Sequence, residues 1–318
     1  MRIAVELDPP TGNPSGDSLA FLQGGARTLA EAGADYITMA DNPRAVARGD
    51  SVALASLTHV CTGVPVIPHI TCRDRNLVAL QSGLCALDMA GIHEVLVVTG
   101  DPVREEDRAR IGRRAEFHSA ELSRYIGEWN LDPACFSKPF SVSAALNVNA
   151  PNFEAELKRA EKKAQSGVTR FFTQPILSVK GLRNLETAKR ELGQELYGGI
   201  LPIVSEKNAR FLAGGIRGIS VGEDVINQYR GINKEEAMTV AIDISLEYAR
   251  AMRNDVTGFY VITPFRRIDL VEKIIRELKN DRRVIANRRA DFILQHPAHV
   301  RAPSKFSEER DGSLLRRL

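Results

Sequence analysis

The chain has 318 residues, 43% of them hydrophobic and 26% charged, with a formal net charge of +3. That length suits one large α/β domain or two small ones, and the composition is that of a globular chain. So small a charge excess gives no footing for nucleic acid, no stretch is long and apolar enough to span a membrane, and the chain opens on a strand with no signal peptide visible.

From the N-terminus, strand and helix alternate. Ile3–Leu7 reads as a strand, Ser18–Ala32 as an amphipathic helix, Tyr36–Ala40 as a strand, and Ser51–Val60 as a helix ending near Gly63. Val64–Thr71 is the third strand, Leu77–Ala90 a helix closed by Gly91, and Val95–Thr99 the fourth strand. A polar, arginine-rich loop runs from Pro102 to about Glu116, followed by a helix over Ser119–Trp129 and a strand over Ser141–Leu146. Phe153–Gln165 is a helix, Arg170–Thr173 a strand, Leu182–Leu192 a helix and Gly199–Ile203 a strand. Helices at Lys207–Leu212, Val221–Tyr229 and Lys234–Arg253 precede the last strand, Gly258–Thr263, and the last helix, Leu270–Lys279. Repeated βα units with glycine at helix ends predict parallel strands, and about eight of them predict a (β/α)8 barrel with extra helices before the last strand. Neither G-x-G-x-x-G after a strand nor a Walker loop occurs, which weighs against an open nucleotide-binding sheet. Residues 1–281 are expected to form one barrel domain. Residues 282–318 are expected to be a basic C-terminal extension, partly disordered or docked on a partner. Cys61, Cys72, Cys85 and Cys135 lack C-x-x-C spacing; they are expected to be reduced and mostly buried, in a cytoplasmic protein with no metal site.

The first strand carries the sharpest signal. Side chains alternate along a strand, so Ile3, Val5 and Leu7 share one face and Ala4, Glu6 and Asp8 the other. In a barrel the branched face packs on helices and the second points inward, which places Glu6 at the C-terminal mouth, where the catalytic groups of this fold sit. Taken alone, Glu6 reads equally well as a solvated acid on an edge strand. Other strand ends are polar too: Pro68-His69-Ile70-Thr71, Val98-Thr99-Gly100-Asp101-Pro102, the Ser141/Ser143/Ala145/Asn147 face and Thr173-Gln174-Pro175. Singly they are bland. His69 suits a core, Asp74 suits a cap for the helix after Asn76, Gly100-Asp101-Pro102 suits a turn, and Lys162 and Lys163 suit a solvated helix face. Gathered at one end of successive strands, they outline a pocket for a flat polar heterocycle.

Six segments in order carry a resemblance. They are Val5-Glu6-Leu7-Asp8-Pro9-Pro10, Pro68 to Asp74, Val98 to Pro102, Phe140-Ser141-Val142 with Asn147 and Asn149, Phe172-Thr173-Gln174-Pro175, and Gly198-Gly199-Ile200-Leu201-Pro202. Through them the chain resembles the methylenetetrahydrofolate reductase family, flavin-dependent folate enzymes on a (β/α) barrel. Asp-Pro-Pro, Cys-Arg-Asp-Arg-Asn and Ala-Asp-Asn look most like the reductase half of bacterial fusions with homocysteine methyltransferase, whose other half this chain has no room for.

The resemblance implies reduction of 5,10-methylenetetrahydrofolate to 5-methyltetrahydrofolate, in the one-carbon metabolism that feeds methionine synthesis. A nicotinamide cofactor, NADH or NADPH, would reduce bound flavin, and folate would then enter the same face. It implies Glu6 as the general acid that opens the folate imidazolidine ring, Asp101 beside flavin and pterin, and Gln174 as a pterin hydrogen-bond partner. His69, Thr71, Thr99, Gly100, Asp101, Asn147, Asn149 and Lys163 fall where the family contacts flavin, with FAD expected ahead of FMN or a flavin-free site. Three departures stand in this chain. Thr99 replaces the arginine of many relatives, Asn147 and Asn149 replace aromatic, carboxylate or histidine groups, and Ile203-Val204-Ser205-Glu206 lacks the aromatic that stacks on nicotinamide and folate. Two other readings fit the same residues: a reductase subunit fed by an electron-transfer partner protein, and a non-redox folate-binding subunit working with a methyltransferase partner. A homo-oligomer is expected in each case. A buried barrel mouth would raise the Glu6 pKa by desolvation, and Asp8 would raise it further by repulsion.

Overall fold

The computed structural model describes residues 1–10, 16–73, 75–103, 107, 117–216 and 218–281. Eight parallel strands close into a barrel in sequence order, β1 (Arg2–Leu7), β2 (Tyr36–Met39), β3 (Val66–Thr71), β4 (Glu94–Val98), β5 (Ser141–Leu146), β6 (Val168–Pro175), β7 (Glu195–Ile200) and β8 (Gly258–Ile262), with β8 pairing back onto β1. The helices are α1 (Gly16–Ala32), α2 (Ser51–Thr62), α3 (Leu77–Met89), α4 (Ser119–Asn130), α5 (Phe153–Gln165), α6 (Val179–Glu191), α7 (Glu206–Gly215), α8 (Glu223–Asn227), α9 (Lys234–Met252) and α10 (Ile268–Asn280). The expected extra helices are therefore α7, α8 and α9, all between β7 and β8.

The alternation read from β1 is the rule of the whole barrel. Ile3, Val5 and Leu7 join the large core between strands and helices, whereas Ala4 joins a separate inner cluster with Ile67, Leu96, Phe172, Tyr197 and Tyr260. That inner layer is a packed plug, as expected when eight strands leave room only for side chains. Below it the N-terminal end is sealed by Arg170. The Arg170 guanidinium reaches Glu94 at 2.7 Å and Glu195 at 2.8 Å and lies over the rings of Tyr36 and Tyr197. Among the described residues the bottom and middle of the barrel interior are thus filled, and the cavity over Glu6 opens at the C-terminal mouth. Asp50, Asn76, Asn152, Ser178, Ser205 and Asn233 each accept a backbone N–H in the first turn of the helix that follows, fixing where the chain turns from mouth to helix.

Several expectations change in the structure. β7 starts at Glu195, four residues before the expected Gly199, because Tyr197 packs inside the barrel and Glu195 pairs with Arg170 at its N-terminal end. β6 and α6 each begin earlier than expected, and α8 is limited to Glu223–Asn227. Asn76, not Asp74, accepts from Ala79 to cap α3, and Asp74 itself lies outside the described residues. Of the cysteines, all free, only Cys72 is buried; Cys61 and Cys85 are exposed because they lie on outward helix faces. The arginine-rich loop and residues 282–318 lie almost wholly outside the described residues. No described helix is long and apolar enough to cross a membrane.

Candidate active site at the barrel mouth

A cavity of about 460 Å³ opens at the C-terminal end of β1 and β8. Glu6 lies on its floor, Phe21, Leu212, Ile219, Ile262 and Phe265 give apolar walls, and Arg44, Arg48 and Arg266 stand around it. Two turns in this wall have unusual backbone. Asn42, Arg44 and Ala45 have φ of 46°, 58° and 57°, and Phe265 and Arg266 have φ of 49° and 61°. Left-handed φ in non-glycine residues costs of order 1 kcal/mol or more each and persists only where surroundings hold it. Here Asp101 accepts the Arg44 N–H at 2.6 Å, and the Arg266 guanidinium stacks 3.8 Å above the Phe21 ring.

Glu6 is the chemical centre of this cavity. The Tyr260 hydroxyl donates to its Oε2, and His69 Nε2 lies 3.8 Å from the same oxygen. Burial pushes the Glu6 carboxyl up to about 7, with repulsion from Asp8 adding to it, while the Tyr260 hydrogen bond and Arg48 oppose. Burial pushes His69 down to about 4, so its ring is neutral near pH 7 and the Glu6 contact is no ion pair. Its Nε2 has no hydrogen-bond partner. Burial also raises Asp8, against the attraction of Arg48 and Arg44; Arg48 Nη1 sits 3.3 Å from its carboxylate.

The other expected site residues surround the mouth without lining this cavity. Gln174, next to last in β6, is half-buried, with its Cγ 3.5 Å from where a Cβ on Gly218 would stand. Asn147 Nδ2 lies 3.3 Å from the same Cβ position, and its Oδ1 accepts the Asn149 N–H. Asn149 Nδ2 donates to the carbonyls of Pro175 and Gly218, both at 2.8 Å. The turn at Gly218, further held by a bridge between Leu177 and Val221, therefore roofs the ends of β5 and β6. Thr71 is fully buried; its N–H and hydroxyl both go to Asp41. Thr99 accepts the Ser119 N–H at the start of α4. Lys163 reaches back from α5 to the Ala145 carbonyl at 2.8 Å, and burial lowers its pKa. It is not the solvated lysine its position on a charged helix suggests. Gly100, with φ 95°, has no room for a Cβ beside Thr71.

Thr71, Thr99, Asn147, Asn149 and Lys163 direct polar groups to other parts of the chain, and the Gly218 turn covers part of their strand ends. Only His69 Nε2 and Asn149 Oδ1 are buried and unpartnered among the expected flavin contacts. Among the described residues, the polar groups of Thr71, Thr99, Asn147 and Lys163 are thus engaged within the chain, and the flavin contacts the resemblance implies would require some of them to turn outward.

Two features escape a sequence reading. Tyr260 is one; its signal is that Gly258, Tyr260 and Ile262 share the inward face of the last strand, with Tyr260 the one polar side chain among them. The arginines are the other: Arg44 and Arg48 lie in a loop with no period to read.

The sequence model of the family described as methylenetetrahydrofolate reductase matches residues 1–279. The chain belongs to the methylenetetrahydrofolate reductase family. A curated relative, the 5,10-methylenetetrahydrofolate reductase of Buchnera aphidicola subsp. Schizaphis graminum, is 20% identical over 190 residues, 59% of this chain and 61% of its own length. Among solved structures, a Clostridium thermocellum protein described as binding two copies of 5-methyl-5,6,7,8-tetrahydrofolic acid matches with a TM-score of 0.63 and 12% identity, covering 87% of this chain and 95% of that one. Tryptophan synthase from M. tuberculosis matches with a TM-score of 0.50 and 9% identity, over 87% and 90% of the two chains. At these identities both structures show a shared barrel.

Proposed function

We propose that this member of the family reduces 5,10-methylenetetrahydrofolate to 5-methyltetrahydrofolate, with Glu6 as proton donor. The observation that carries the reading is a half-buried carboxyl, held by Tyr260 and raised toward neutrality by its surroundings, lining a cavity of about 460 Å³. That volume lies in the range that holds one small molecule. The methylene bridge must open to an iminium before it accepts hydride, and opening needs a proton on the departing nitrogen. A carboxylic acid with a pKa near 7 is half loaded at neutral pH and still acid enough to give the proton up. The neutral His69 beside it does not compete for that proton. The apolar walls would take the ring system and Arg44, Arg48 and Arg266 the carboxylates of the folate tail; Gln174, which the resemblance implies as a pterin partner, lies at the mouth beside this cavity. Family membership and the folate-binding barrel neighbour support the substrate class.

FAD is the hydride carrier that the family resemblance implies, fed by NADH or NADPH. Because its expected contacts are engaged within the chain, we also keep a second reading, a folate-binding subunit that works with a redox or methyltransferase partner. Reconstitution separates the two. The purified protein is incubated anaerobically with methylenetetrahydrofolate, FAD or FMN, and NADH or NADPH, and 5-methyltetrahydrofolate is quantified by chromatography. Product with one of these donors supports the reductase. Tight folate binding with no product under any combination selects the partner-dependent subunit.

A further inference from the structure

We infer that Tyr260 is a positioning residue for Glu6: its hydroxyl holds Oε2 so that Oε1 carries the transferable proton toward the cavity. The inference rests on the reading of Glu6 as proton donor. The two side chains come from paired strands but from different layers. In the β1–β8 register Tyr260 lies beside Ala4, and Glu6 lies beside Ile262, so the tyrosine sits one layer deeper and reaches up to the carboxyl. Its ring is only 5% exposed and packs edge-on against Phe172, with centroids 5.0 Å apart. Packing on that plug leaves the hydroxyl little freedom to swing away. His69 approaches the same oxygen from β3. Oε2 is thus enclosed by two side chains. Among the described residues no hydrogen bond reaches Oε1, and Glu6 opens to the cavity.

The arrangement selects which oxygen keeps the proton. A hydroxyl pointing its hydrogen at Oε2 disfavours a proton there, so the carboxyl proton resides on Oε1. When that proton leaves, the hydrogen bond from Tyr260 strengthens, because a charged acceptor holds a donor more tightly than a neutral one. Tyr260 therefore makes the proton easier to release, against burial and Asp8, which hold it. The groups facing Glu6 are Tyr260 from β8, His69 from β3, Asp8 from its own strand and Arg48 from the segment before α2. Of these, Tyr260 is the one that hydrogen-bonds the carboxyl.

The test is an infrared pH titration of the carboxyl band of folate-free protein, comparing wild type, Glu6→Gln and Tyr260→Phe. The band absent from Glu6→Gln is assigned to Glu6. In Tyr260→Phe the band should persist to a pH higher by about one unit, the worth of one hydrogen bond to a charged group. The basic limb of the rate of 5-methyltetrahydrofolate formation should move by the same amount, with its plateau about tenfold lower as proton orientation is lost. Site-specific 3-fluorotyrosine at 260, a stronger donor of nearly the same shape, should move the titration the other way, and it covers the case in which Tyr260→Phe does not fold. An unshifted titration in either foldable variant overturns the inference. If the band shifts but no preparation forms 5-methyltetrahydrofolate, positioning stands and the reductase reading falls.

Discussion

Glu6 has a cost that can be measured without any ligand. Its pKa of about 7 in the fold lies above its ordinary value of 4.5, so the folded state holds a proton that the unfolded chain has lost. Stability on this account is full below about pH 4.5 and falls as pH rises to 7, by on the order of 3 kcal/mol in total. His69 has the opposite sign. Its pKa of about 4 lies below 6.5, so stability is lost as pH falls from 6.5 through 4. Between about pH 4.5 and 6.5 the two slopes oppose each other in the wild type. Glu6→Gln removes the Glu6 slope and keeps the others, so urea denaturation should show the variant gaining on wild type as pH rises from 4.5 to 7 and becoming the more stable form at pH 8. Parallel curves for the two proteins would mean that Glu6 titrates normally. The inward aim of Glu6 was legible because period-two alternation on β1 leaves no other assignment once the strand is in a barrel. The contact with Tyr260 was not, since it joins residues 254 positions apart and depends on barrel closure.

At the scale of elements, the mouth is shaped where β6 meets β7. The register between these strands shifts from Phe172 to Pro175, and the Gly199 N–H donates to Thr173 Oγ1 at 2.8 Å. A Cβ on Gly199 would lie 2.7 Å from the Gln174 carbonyl oxygen and 2.8 Å from that of Thr173. Gly199→Ala must therefore push the two backbones apart beside the cavity. We expect a loss of about 1–3 kcal/mol by denaturant titration, together with weaker folate binding by fluorescence quenching, because Gln174 moves with the strand. Wild-type stability in this variant would show that the strands separate without cost. The strand expected to start at Gly199 in fact begins at Glu195, and Gly198 and Gly199 both lie inside β7, where close approach by Met252 and by β6 excludes a side chain. Most other helices and strands were legible because apolar period, caps and terminal glycines agree. The inward reach of Lys163 was not legible, since a charged helix face shows nothing of the carbonyl one lysine can reach beneath it.

For the whole molecule, the barrel closes with β8 on β1, and α10 lies against α1 and α9. Asp281, just past α10, is bound by Arg250 of α9. A chain ending at Asp281 should keep the melting temperature and folate affinity of the full chain, as measured by calorimetry and fluorescence quenching. A folate affinity that collapses while the melting temperature holds would place residues 282–318 over the site. The fold class was fully legible in the sequence, and the mouth as the site location followed from it. The division of the mouth was not. Which residues face the cavity and which are bonded within the chain depends on loops whose course no periodicity records, above all the Asn42–Ala45 turn and the turn at Gly218. The central claim is that Glu6 supplies the proton for reduction of methylenetetrahydrofolate. Its most direct test is the rate of 5-methyltetrahydrofolate formation at saturating folate, anaerobically, by wild type and Glu6→Gln under the conditions that support turnover. The account predicts unchanged folate affinity and a rate lower by ~10²–10⁴-fold in the variant. A variant that forms product at the wild-type rate would contradict it.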